Sequence, residues 1–119
     1  MDTVLIFFSQ VYGSLFNKDK WCIIENDDQS NSFLWNDITR AYSMAHVSMD
    51  ENQWEVMADF WTEANSSNFK WNVTYTANNL SFIRLFDESE YVLAVTDHGE
   101  LYLSEYNSTD INQQWIIKD

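Results

Sequence analysis

The sequence predicts an all-β domain built from three related units of roughly forty residues each. Three observations predict it. The segments WCIIENDDQSNSFLW, DFWTEANSSNFKW and LYLSEYNSTDINQQW share one order: an apolar or aromatic stretch, a Glu, an Asn/Asp/Ser-rich turn, then Trp. Their closing residues Trp35, Trp71 and Trp115 recur at a period near forty residues, the mark of a repeat architecture. Finally, VYGSLFNKDKWCIIE aligns without gaps on YVLAVTDHGELYLSE, and both read as strand, polar turn, strand.

Taken in order, the first unit (about 1–38) holds an apolar strand at VLIFF, two strands flanking the NKDK turn, and one starting at Trp35. The third unit (about 77–119) repeats this with SFIRLF, the TDHGE turn and a last strand from Trp115. The middle unit (about 39–76) reads two ways. As strands it gives QWEVM, a tight connection at Ala58 and Asp59, then FWTE. As a helix near 48–64, Ser48 would be the N-cap and Glu51 would complete a capping box. Trp54, Met57, Ala58, Trp61 and Ala64 would then form its apolar stripe. The repeat register selects strands. Three four-stranded units suggest a β-trefoil, a short barrel capped by three hairpins, as one domain over 1–119. The helical alternative is an α+β fold with a C-terminal antiparallel meander.

Composition narrows function. The 119 residues, 45% of them hydrophobic and 17% aromatic, are enough for one core. Pro is absent and Gly occurs only twice, so turns must rely on Asn, Asp and Ser. The net charge is −13, from 19 acidic and 6 basic residues. That balance argues against phosphate contacts with nucleic acid and against anionic membranes. Cys22 is the single cysteine, which excludes an internal disulfide and a multi-thiolate zinc site. The start MDTVLIFFSQ has no basic n-region and too short an apolar run to span a bilayer. A cytoplasmic protein, released if at all by lysis or within a complex, is the expectation.

STDINQQW resembles the QxW signature of ricin-type β-trefoil domains, with DENQWEV and SNFKWNV as weaker echoes. The resemblance is specific over about 91–119 and weaker upstream. A buried Trp from each unit can fill the barrel centre if its indole N–H finds an acceptor. The signature is therefore primarily structural. Trp35, Trp71 and Trp115 are expected to meet around one axis.

The resemblance implies a carbohydrate site of three parts: an acid on the second strand, an aromatic on the third, and an Asn just before the QxW Trp. In the third unit Asn112 and Gln113 match, but the acidic place falls on Ala94 and the aromatic place on Leu103. In the first unit the places fall on Ser14, Ile23 and Ser32. In the middle unit they fall on Glu55, Trp61 and Asn68, where all three chemistries are present.

Signals for catalysis are poor. His46 and His98 are the only histidines, and no serine sits in a G-x-S-x-G context. The acidic loops ENDDQSN and FDESE lack the D-x-D-x-D-G calcium pattern. No metal or cofactor is therefore expected. The reading is a non-enzymatic binding module, with glycan recognition through the middle unit. The alternative is an acidic inhibitor or immunity protein that covers a basic partner, using Asp27, Asp28, Asp87, Glu88 and Glu90 in place of phosphates.

Overall fold

A computed structural model describes residues 6–9, 13–14, 21–36, 41–50, 53–60, 66–76, 80–96 and 100–118. The strands within them are β1 (Ile6–Ser9), β2 (Gly13–Ser14), β3 (Trp21–Glu25), β4 (Asn31–Asn36), β5 (Ala41–Asp50) and β6 (Gln53–Phe60). They continue with β7 (Trp71–Tyr75), β8 (Ser81–Leu85), β9 (Tyr91–Val95), β10 (Leu101–Glu105) and β11 (Trp115–Lys118). Two 3-10 helices, η1 (Ser66–Phe69) and η2 (Ile111–Gln113), precede β7 and β11. Every pairing among these strands is antiparallel. The architecture is the all-β trefoil that the repeat predicts.

The helical reading of 48–64 loses to a long hairpin. β5 and β6 pair from Tyr42↔Phe60 to Ser48↔Trp54, with an irregularity before Asp50↔Gln53. The anticipated break at Ala58 and Asp59 does not occur, since both are paired, to Met44 and Ser43. Local helical periodicity gives way because the strand form buries Met44 and Ala45 completely and joins β5 to β4.

Strand pairing also redraws the units. β7 and β8 are joined by a turn closed by Thr76 N–H donating to the Leu80 carbonyl (2.7 Å), and they pair from Trp71↔Leu85 to Tyr75↔Ser81. β3 and β4 reproduce this: Asn26 N–H donates to the Ser30 carbonyl (2.8 Å), and pairing runs from Trp21↔Trp35 to Glu25↔Asn31. Trp115 heads β11 in the same way, opposite Ser9 of β1. The counterparts by register are thus Trp21, Trp71 and Trp115, not Trp35. Trp35 occupies the rung of Leu85. By this register the units run over 6–25, 31–75 and 81–118. At the other end, Trp71 pairs with Asn31 and Trp115 with Ser81, so each head residue also meets the first residue of its own unit.

The core gathers Phe33, Met44, Trp71, Ile83, Leu85, Leu93, Val95 and Trp115. Trp71 and Trp115 are wholly buried, and each indole N–H is satisfied within its own unit. Trp71 Nε1 donates to the Met44 carbonyl on β5 (2.9 Å), and Trp115 Nε1 donates to the Leu93 carbonyl on β9 (3.1 Å). Met44 and Leu93 hold the same rung, since Leu34↔Ser43 and Arg84↔Val92 are equivalent steps.

The residue two before each tryptophan differs. Gln113 is buried; its Oε1 accepts from Asn107 N–H (2.8 Å), and its Nε2 donates to the Glu105 carbonyl (2.7 Å). Phe69, at the corresponding place, is an apolar plug with 1% exposure. The third unit therefore ties its 3-10 segment with side-chain hydrogen bonds, whereas the middle unit seals it by packing.

Replacing Gln113 with Leu strands a backbone donor and acceptor, and should lower stability by about 1–3 kcal/mol. Urea denaturation checks this. Gln114→Leu, which removes a hydrogen bond to the Ser108 carbonyl at the surface, should change stability by less than about 0.5 kcal/mol.

Candidate functional site

The register decides where the predicted site residues fall. The second-strand place held by Ala94 in the third unit corresponds to Ala45, and the third-strand place held by Leu103 corresponds to Ala58. Glu55 instead lies on the third strand of its unit, opposite Val47, and is exposed. Trp61 lies outside the described residues. Asn68 keeps its assigned place in η1, three residues before Trp71, as Asn112 stands before Trp115. The three-part constellation expected at Glu55, Trp61 and Asn68 therefore does not follow from the pairing. The cause is that β6 runs unbroken through Ala58 and Asp59, so no second strand ends near Glu55.

A different set of side chains converges nearby. An open cleft of about 150 Å³ is lined by His46 and Ser48 of β5, Trp54 of β6, Ser67 and Asn68 of η1, Leu85 of β8, and Asp87 and Glu88 of the loop that follows it. The β5–β6 hairpin creates this cleft by its length. Its two strands outrun β9 and β10, and Trp54, half-buried against the core, meets Tyr91 with ring centroids 4.5 Å apart and planes at 51°. Strand alternation places Trp54 and exposed Glu55 on opposite faces.

His46 forms the inner wall. Its ring meets Trp71 edge to face at 4.8 Å, and its Nε2 lies 2.9 Å from the Lys70 carbonyl. A carbonyl only accepts, so Nε2 carries the proton. Burial pushes the His46 pKa below its ordinary value, against the opposing pull of the Lys70 carbonyl and of Asp87. His46 is thus a neutral donor near pH 7. Tyr91 behaves oppositely: desolvation raises its phenol, and Glu105, Glu90 and Glu88 add to the rise. Several carboxylates therefore set a negative potential at the aromatic wall.

The acidic residues divide into two groups. Asp28 is committed to structure. It forms an ion pair with Lys70 Nζ at 2.8 Å and accepts from Ser30 N–H (3.0 Å) and Ser30 Oγ (2.6 Å). These contacts, Lys70 first, hold its carboxyl well below the usual range. They also brace a turn in which Gln29 takes the left-handed conformation at φ 72°, a place Gly or Asn fills more readily. Asp27, Asp87, Glu88 and Glu90 are exposed. Both acidic loops flank Lys70, since Asp28 pairs with its ammonium and Phe86 N–H donates to its carbonyl (3.4 Å). A second cleft of about 340 Å³, with Asn26, Asp28, Ser32, Phe69 and Lys70 on its walls, opens beside this pair. Among the described residues no three His, Cys, Asp or Glu side chains converge as metal ligands. His98 lies outside the described residues.

No protein-family profile matches the chain, and no curated protein matches it in sequence. Solved structures do match in fold. A mosquitocidal holotoxin superposes with a TM-score of 0.72 at 12% identity, over 96% of this chain and 17% of that one. The designed threefold-symmetric protein ThreeFoil gives 0.73 at 12% identity, over 97% of both chains. Cry35Ab1 gives 0.72 at 17% identity, over 99% of this chain and 36% of that one. The chain therefore spans a minor part of the holotoxin and of Cry35Ab1 and nearly all of ThreeFoil. Its fold is a β-trefoil.

The His46 geometry generates a test. Its folded pKa lies below the unfolded value of 6.5, so the unfolded chain takes up a proton that the folded chain refuses. Stability must then fall as pH drops through about 6.5 toward the folded pKa. The Asp28 carboxyl contributes its own loss only below about pH 4. Chemical denaturation across pH 7 to 5 should show this slope in the native protein, and His46→Phe should flatten it.

Proposed function

We propose that the chain is a non-catalytic binding module that recognises carbohydrate through the cleft between the β5–β6 hairpin, η1 and the loop after β8. The observation that carries this reading is Trp54, an indole held by Tyr91 beside four kinds of polar partner. An aromatic face stacks on the apolar side of a pyranose, while a few fixed polar groups bind its hydroxyls. Asn68, Ser48, His46 and the carboxylates of Asp87 and Glu88 supply donors and acceptors in that arrangement. At about 150 Å³ the cleft lies below the roughly 300–1,000 Å³ that encloses drug-sized ligands. It suits a single sugar ring with the rest of a glycan in solvent. The QxW resemblance supports the same class, but the ligand contacts move from Glu55 and Trp61 to Trp54.

A second reading keeps one specific observation in its favour. Asp27, Asp87, Glu88 and Glu90 are exposed on two loops that flank Lys70, so a basic protein could be covered by both. Such a partner would co-purify and dissociate steeply with salt.

Retention on immobilised galactose, or signal on a glycan array, tests the first reading. Trp54→Ala should abolish it, and Asn68→Ala should weaken it roughly tenfold, the loss of one or two hydrogen bonds to hydroxyls. Glu55→Gln and Asp27→Asn should leave it unchanged. Binding that survives Trp54→Ala would place the site elsewhere.

A further inference from the structure

Resting on that reading, we infer that the cleft selects amino sugars bearing a free ammonium over neutral or acidic sugars. The geometry carries this in three steps. Two of the residues that line the cleft are exposed carboxylates, Asp87 and Glu88, and none is Lys or Arg. The neighbouring cations are engaged elsewhere. Lys70 does not line the cleft, and its ammonium sits 2.8 Å from Asp28, with Asp87 acting on it less strongly. Arg84 places Nη1 2.9 Å from the Ser89 carbonyl and its guanidinium 4.1 Å from the centre of the Tyr106 ring. His46, the remaining titratable wall, donates from a neutral ring near pH 7.

A cation seated here gains twice. It meets the exposed carboxylates of Asp87 and Glu88, of which Asp87 also acts on the Lys70 ammonium, and it shares the cleft with the Trp54 indole, whose ring quadrupole attracts positive charge. An N-acetylated sugar forfeits both gains. A sialylated or sulfated sugar meets repulsion from the carboxylates. The Tyr91 phenol, packed against Trp54, is raised first by desolvation and then by Glu105, Glu90 and Glu88. The cleft is therefore polarised for an ammonium group, not merely polar.

The experiment compares a glucosamine oligomer in its ammonium form with the fully N-acetylated oligomer of equal length, by calorimetry on the whole chain. The free-amine oligomer should bind about five- to tenfold more tightly, the yield of two partly exposed ion pairs. That preference should shrink with added salt. The double variant D87N/E88Q should bring the two ligands to parity, whereas Asp27→Asn should leave the preference intact. Parity in the native protein, or preference for the N-acetylated form, overturns the inference and leaves carbohydrate binding standing. A preference that persists in D87N/E88Q removes these carboxylates from the role. Absence of binding to either oligomer and to every neutral sugar tested overturns the carbohydrate reading, and this inference with it.

Discussion

Two buried indole N–H groups fix the geometry of the molecule. A tryptophan heads each unit's last strand; Trp71 and Trp115 each contribute a large apolar surface, and burial is favourable only if the indole N–H is not left without an acceptor. Trp71 and Trp115 solve this identically, by donating to Met44 and Leu93 on the second strand of their own units. Each bond ties the end of a unit to its middle, across 27 and 22 residues of chain. The connecting 3-10 segments must then pass over the barrel end. That path places Asn68 and Asn112 at matching sites, and it sets the floor on which the cleft is built.

Much of this was legible in the sequence. The Trp-centred repeat, the strand content and the structural role of NQQW all follow from residue patterns, and the hairpin at 96–100 follows from its polar turn. The register of the first unit was not legible from tryptophan position alone. Trp21 and Trp35 lie on neighbouring strands as register partners, so either could close a unit. Connection length is the signal that separates them. The turn at 26–30 joins β3 directly to β4, whereas a 3-10 helix intervenes before β7 and before β11. A segment of that length cannot hold the extra turn, so it joins two units and does not close one.

The candidate site was half legible for a related reason. Asn68 is fixed by its distance from Trp71, and that distance is local. The acidic and aromatic places depend on where β6 begins and ends, which is a tertiary decision. Ala58 and Asp59 look like a break, yet each finds a partner on β5. The hairpin so formed is longer than its counterpart in the third unit, and only that extra length brings Trp54 to Tyr91. The contribution of Asp87 and Glu88 comes from the following unit, and no pattern within the middle unit encodes it. The signal available in the sequence was the acidic loop FDESE itself, whose proximity to the middle hairpin appears only once the barrel closes.

The most direct test of the shared tryptophan geometry is hydrogen exchange of the indole Nε1–H groups, followed by NMR. Trp71 and Trp115 are wholly buried and donate to backbone carbonyls, so both should exchange only through global unfolding, at matching rates and with protection equal to that of the slowest core amides. Trp54, half-buried at the cleft, should exchange far faster. Rapid exchange at either Trp71 or Trp115, or rates that differ by orders of magnitude between them, would contradict the account.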